Sequence, residues 1–195
     1  MTETQKNEIR ENIARIRRDM SAYPKAELMA VIKTRTAEEN NFAIRECGIT
    51  MVGENRVQEL LAHYEEVDHT VEWHFIGTLQ KNKVKYIVDK VDMIQSLDSE
   101  GLALEIDKRA GKIGKMMPVL IEVNIGREES KSGIFPEALD ALCVTLQNCA
   151  HICVKGLMTI APICADKNEY NRYFGEMKTL KDRIFSTYFP DVQEP

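Results

Sequence analysis

Lys33 closes the run Leu28-Met29-Ala30-Val31-Ile32, and a lysine after five unbroken apolar residues is the strongest chemical feature of the chain. A short apolar run of this kind reads as a strand buried on both faces of a parallel sheet, which puts Lys33 at its carboxyl end. Two roles are open to it. The side chain can snorkel its ammonium into water at the strand edge. Alternatively, partial desolvation can lower its pKa, so that the neutral amine forms a Schiff base with an aldehyde. One strand does not decide between them. Other strand ends offer Glu54 and Asn55, Gly77 and Thr78, then Asn124, Arg127 and Lys131, and finally Met158 and Thr159. These are amides, hydroxyls and a few charges around one lysine. No His, Cys and carboxylate set has metal-ligand spacing, and no nucleophile elbow is visible. His63, His69, His74 and His151 are scattered and read as surface or satisfied histidines rather than general bases. The basic run Lys81, Lys83, Lys85 reads as a solvated helix face, because aromatic residues do not alternate with it as single-strand binding needs.

The elements that position these residues follow from local signals. Ile9, Ile13, Ile16 and Met20 recur at helical spacing, so the chain opens with an amphipathic helix. Thr36 and Glu39 form a capping box for a helix that runs to Cys47 and ends at Gly48. Further strands are expected at 49–55, 73–77, 91–97, 118–125 and 154–160. The helices between them include one over 80–88, one capped by Ser99, one starting near Pro136, and a long last one through Tyr170, Phe174, Met177, Leu180 and Ile184. The order is one helix and then six strand–helix units. No strand is followed by a glycine-rich dinucleotide or phosphate loop, which disfavours a doubly wound nucleotide-binding sheet. The expected fold class is therefore α/β, a (β/α)8 TIM barrel with about six of its eight units, read as a single domain over residues 1–195.

The 26 basic and 31 acidic residues give a net charge of −5, which argues against nucleic acid or an anionic membrane as main partner. No apolar run approaches the roughly 20 residues of a membrane span. The opening Met1-Thr2-Glu3-Thr4-Gln5-Lys6 has no signal-peptide core, so a cytoplasmic location is expected. The five cysteines contain no C-x-x-C pair and read as reduced small hydrophobes.

Five blocks in order carry a resemblance: AVIKTRT at 30–36, GENRVQE at 53–59, EWHFIGTLQKNKVK at 72–85, VLIEVNIGREESKSGI at 119–134 and GLMTIAP at 156–162. The sequence resembles the pyridoxal phosphate homeostasis proteins (the YggS/PROSC family), whose fold is that of the alanine racemase barrel domain. The resemblance implies a non-catalytic carrier of pyridoxal 5′-phosphate, bound as a Schiff base on Lys33. Its role would be to maintain vitamin B6 and amino-acid homeostasis, passing the cofactor to apoenzymes, with a monomer as the full-length state. Asn55 and Met158 carry over as lining residues. For His74, strand alternation leaves the direction open. A racemase-like enzyme and an RNA- or protein-binding module are the alternatives. The family continues with S-x-G-M-S and V-R-I-G-x-x-I-F-G segments that these 195 residues do not contain. The expectation is therefore two missing units, open edges at strands one and six, and a weakened grip on the cofactor phosphate. Ile32 stands where the family often has serine.

Overall fold

Thr2 starts the first helix by accepting from the Gln5 amide while the Gln5 side chain accepts from the Thr2 amide, a closed capping box. The computed structural model describes residues 1–192, which fall into two compact units, Met1–Phe75 and a second beginning at Ile76.

In the first unit, α1 (Glu3–Met20) is followed by β1 (Ala30–Val31), α2 (Ala37–Cys47), β2 (Met51–Glu54), α3 (Val57–Tyr64) and β3 (Glu72–Phe75). The strands pair in parallel in chain order, with Ala30 opposite Val52, Val31 opposite Gly53, and Gly53 opposite His74. The Thr36–Glu39 capping box forms as expected, and Gly48 ends α2 with φ 64°, a conformation that costs glycine little. Arg17 reaches from α1 to the carbonyls of Cys47 and Gly48, each at 2.7 Å, and so satisfies the end of α2. Ile32, Ile44, Ile49, Val52, Leu60, Trp73 and Phe75 form the core.

The first strand is shorter and less buried than its apolar run suggests, while its open edge is as expected. It is two residues long, and Val31 is 43% exposed while Ile32 is buried. The cause is its place in the ladder: within its unit β1 is paired on one side only, to β2. Nor does α1 seal the remaining side. None of its residues is fully buried, and Ile9, Ile13 and Ile16 face β1 across a cavity of about 500 Å³.

The second unit carries a 3-10 turn at Lys81–Lys83, α4 (Val84–Ile87), β4 (Met93–Leu97), α5 (Glu100–Lys112) and β5 (Met117–Glu122). After a 3-10 turn at Pro136–Ala138 come α6 (Leu139–Gln147), β6 (Ile152–Met158) and α7 (Lys167–Tyr188). Strands β4, β5 and β6 pair in parallel in that order. Ile94, Leu97, Val119, Ile121, Leu102, Ile106, Leu139, Leu142 and Ile184 pack the core. Two helices differ in detail from the sequence reading. The stretch 80–88 splits into the 3-10 turn and a single helical turn, so Lys81 and Lys85 do not share a face of one helix. Ser99 occupies the N-cap of α5, but its side chain makes no capping bond; its backbone carbonyl accepts from Leu102 and Ala103 instead.

Candidate functional site

Lys33 follows Ile32 at the carboxyl end of β1, in a tight turn closed by the Arg35 amide donating to the Ile32 carbonyl at 3.2 Å. Thr34 takes φ 61° there, a left-handed conformation that costs a non-glycine residue energy and persists only where neighbours hold it. The Ile32 amide donates to the Gly53 carbonyl at 3.0 Å, tying the start of the turn to β2. Immediately afterwards Thr36 begins α2. The Lys33 side chain is exposed, and among the described residues it makes no hydrogen bond or ion pair. Of the two roles open to it in the sequence, this exposure fits a side chain that reaches solvent from the end of an edge strand.

Asn55 is the first residue beyond β2, and continuing the β1–β2 register by two residues brings it level with Lys33. Its side-chain Oδ1 is buried without a hydrogen-bond donor. Its backbone amide donates to Glu54 Oε2 at 3.2 Å. Glu54 is fully buried, and its Oε1 lies 2.6 Å from His63 Nδ1 in the last turn of α3. The other ring nitrogen of His63 lies 3.1 Å from the Arg35 carbonyl. Burial pushes the Glu54 carboxyl above the usual carboxylate range, and the hydrogen bond from His63 opposes that shift. Sequence reasoning placed Glu54 at a strand end and His63 among the satisfied histidines. It missed that the two meet, because nothing periodic links them. His74 is buried on β3 with Nε2 3.3 Å from Glu72 Oε2, two residues away on the same strand face.

In the second unit Met158 is the last residue of β6, opposite Glu122, and its carbonyl accepts from the Val123 amide at 2.8 Å. Thr159 donates its hydroxyl to the Val123 carbonyl at 2.7 Å. Glu122 is buried, and its carboxyl is pushed up to about 7, by burial first and by the neighbouring Asp98 charge second. Beyond β5 the Asn124 amide group gathers the loop, donating to the carbonyls of Glu128 at 2.8 Å and Lys131 at 3.3 Å. Thr78 and Ser132 join hydroxyl to hydroxyl at 2.7 Å. Of the three residues expected to contact a cofactor, Lys33 and Asn55 follow neighbouring strands of the first unit, and Met158 belongs to the second. The ammoniums of Lys83 and Lys85 lie over the Tyr86 ring, 5.7 and 4.8 Å from its centroid, so this part of the basic run is engaged locally. Among the described residues no group of three His, Cys, Asp or Glu could hold a metal ion, and no helix is long and apolar enough to cross a membrane.

The model of the alanine racemase N-terminal domain matches residues 5–192. The pyridoxal phosphate homeostasis protein of Aquifex aeolicus is 45% identical over 167 residues, 84% of this chain and 72% of that protein. The chain belongs to the pyridoxal phosphate homeostasis protein family. The family's Escherichia coli member is 35% identical over 86% of this chain and 75% of its own length. Among solved structures, PipY of Synechococcus elongatus with pyridoxal phosphate bound superposes with a TM-score of 0.81 at 30% identity, covering 95% of this chain and 85% of PipY. Alanine racemase of Clostridium difficile, at 14% identity and a TM-score of 0.75, shares the fold over 94% of this chain and 49% of its own. The α/β fold with parallel strands in chain order is that of the alanine racemase N-terminal domain.

Proposed function

We propose that this chain binds pyridoxal 5′-phosphate reversibly on Lys33 and keeps it available for apoenzymes that need it, without catalysing a reaction on it. The observation that carries the reading is an exposed, unpartnered Lys33 amine after β1 together with the orphaned acceptor Oδ1 of Asn55 just after the neighbouring β2. The naming of the family members and the loaded PipY structure support it.

The residues present fit such a group. The cofactor supplies an aldehyde, to which a neutral amine adds with loss of water. Lys33 offers that amine from a turn tied to β2, which fixes where its flexible side chain leaves the backbone. Its exposure admits the water that reverses the bond, as a carrier needs. Asn55 Oδ1 accepts a hydrogen bond from a hydroxyl or ring N–H on the ligand and so orients it. Met158 stands as a further cofactor neighbour on the family resemblance alone.

Titration of the protein with pyridoxal phosphate, followed by visible absorbance, tests the reading. The wild type gives a saturable new band that Lys33→Ala abolishes, and the loaded protein forms no D-alanine from L-alanine. An identical titration from Lys33→Ala contradicts the assignment.

A further inference from the structure

We propose that Glu54 and His63 act as a proton-sharing anchor that holds the Lys33 turn and Asn55 in their binding arrangement. This rests on the assignment of Lys33 as the cofactor lysine and names the residues that position it.

The carboxyl of Glu54 touches Asn55 directly and reaches the Lys33 turn through His63. Oε2 accepts from the Asn55 backbone amide, and Oε1 meets His63 Nδ1. The far side of the same imidazole meets the carbonyl of Arg35, two residues after Lys33. A carbonyl only accepts, so Nε2 carries a hydrogen. The 2.6 Å contact between Nδ1 and Oε1 needs one more proton, on nitrogen beside a carboxylate or on oxygen beside a neutral ring. Either placement keeps both bonds. Removing that proton leaves one hydrogen on a ring flanked by two acceptors. The hydrogen then turns to the carboxylate, and the Arg35 carbonyl loses its donor.

The anchor matters because the turn is strained. Thr34 is left-handed without being glycine, and the ties of the turn include Ile32 to Gly53, its own Ile32–Arg35 bond, the Arg35–Glu39 ion pair at 3.6 Å, and His63 to the Arg35 carbonyl. The last reaches the backbone of its outgoing end from α3. Burial of Glu54 disfavours the bare carboxylate and so favours keeping the shared proton. The charge acting on Glu54 besides His63 is Glu59, one turn back on α3 and bonded to Arg56 at 3.2 Å. Its negative charge raises the carboxyl further, moderated by that partner.

The test combines amide exchange and nitrogen NMR of the unloaded protein with pyridoxal phosphate titration, for wild type, His63→Leu and Glu54→Gln. A glutamine at position 54 donates to Nδ1 and accepts from Asn55, which fixes the ring with hydrogen on Nε2 at any alkaline pH. We expect His63 to carry hydrogen on Nε2 at pH 7. The Arg35 amide should exchange about tenfold faster in His63→Leu, and that variant should bind the cofactor about tenfold more weakly while Lys33 still reacts. As the pH is raised, wild-type Arg35 should lose protection beyond the ordinary base-catalysed trend once the shared proton leaves, and Glu54→Gln should not. Unchanged Arg35 protection in His63→Leu, or a wild-type ring with bare Nε2, overturns the proposal. Should His63→Leu not fold, the ring tautomer and the wild-type against Glu54→Gln pH series decide alone. If Lys33 takes no cofactor in any variant, the functional assignment fails, and the exchange data still decide the anchor.

Discussion

Lys33 and Asn55 illustrate how a binding residue differs from a structural one in this chain. Neither contributes a side-chain bond to the described fold, so each can be changed at little cost to stability. Asn55→Ala removes an acceptor that the fold leaves unsatisfied. We expect unfolding in urea within about 0.5 kcal/mol of wild type, but cofactor binding weakened about three- to tenfold. A loss of stability above about 2 kcal/mol with unchanged binding would make Asn55 a structural residue instead. Glu54 is the opposite case. Its carboxyl is fully buried and holds two neighbours, so it belongs to the scaffold that presents the site.

At the scale of elements, local rules account for most of what positions the site. Thr36 and Glu39 satisfy each other's orphan amides at the start of α2, three residues after Lys33. Thr36→Ala should cost about 1 kcal/mol in denaturant unfolding. Two glycines separate conformation from space. Gly133 takes φ 103°, and a Cβ there would sit 2.6 Å from the Asn124 amide nitrogen, inside the loop that Asn124 organises. Gly114 takes φ 65° with nothing within 4 Å. Gly114→Ala should therefore cost about 1 kcal/mol, and Gly133→Ala about 2 kcal/mol or more; equal losses would refute the backbone clash. The capping box, the Gly48 terminator and the succession of strands and helices were legible in the sequence because each depends on residues within four positions. The exposure of Val31 was not legible in the local run, which reads as a strand buried on both faces; only the resemblance, with its open edge at strand one, pointed to it. The Glu54–His63–Arg35 chain was equally hidden. Its members lie nine and 28 residues apart, and only the folded return of α3 toward β2 brings them together. Ser99 shows the limit of a motif: the residue sits at the cap, but its carbonyl does the bonding.

For the molecule as a whole, membership of the homeostasis protein family and the racemase-type fold set the frame, and buried carboxyls set the response to pH. Glu122, held up to about 7 by burial and by Asp98, keeps its proton in the folded state across a range where the unfolded chain has lost it. The folded form then binds more protons than the unfolded form between about pH 4.3 and 7, so stability falls as pH rises through that window. Glu122→Gln should flatten the fall by about 1–3 kcal/mol, read from urea midpoints at pH 4.5, 6 and 7.5. Parallel slopes in the two proteins would show that the carboxyl titrates normally. The claim at the centre of the account is that one lysine carries the cofactor, and its most direct test is chemical. The wild-type protein is loaded with pyridoxal phosphate and reduced with borohydride, then digested and mapped by mass. The account predicts a single dominant phosphopyridoxyl adduct on the peptide containing Lys33. Adducts spread over surface lysines, with Lys33 no more labelled than Lys81 or Lys85, would contradict it.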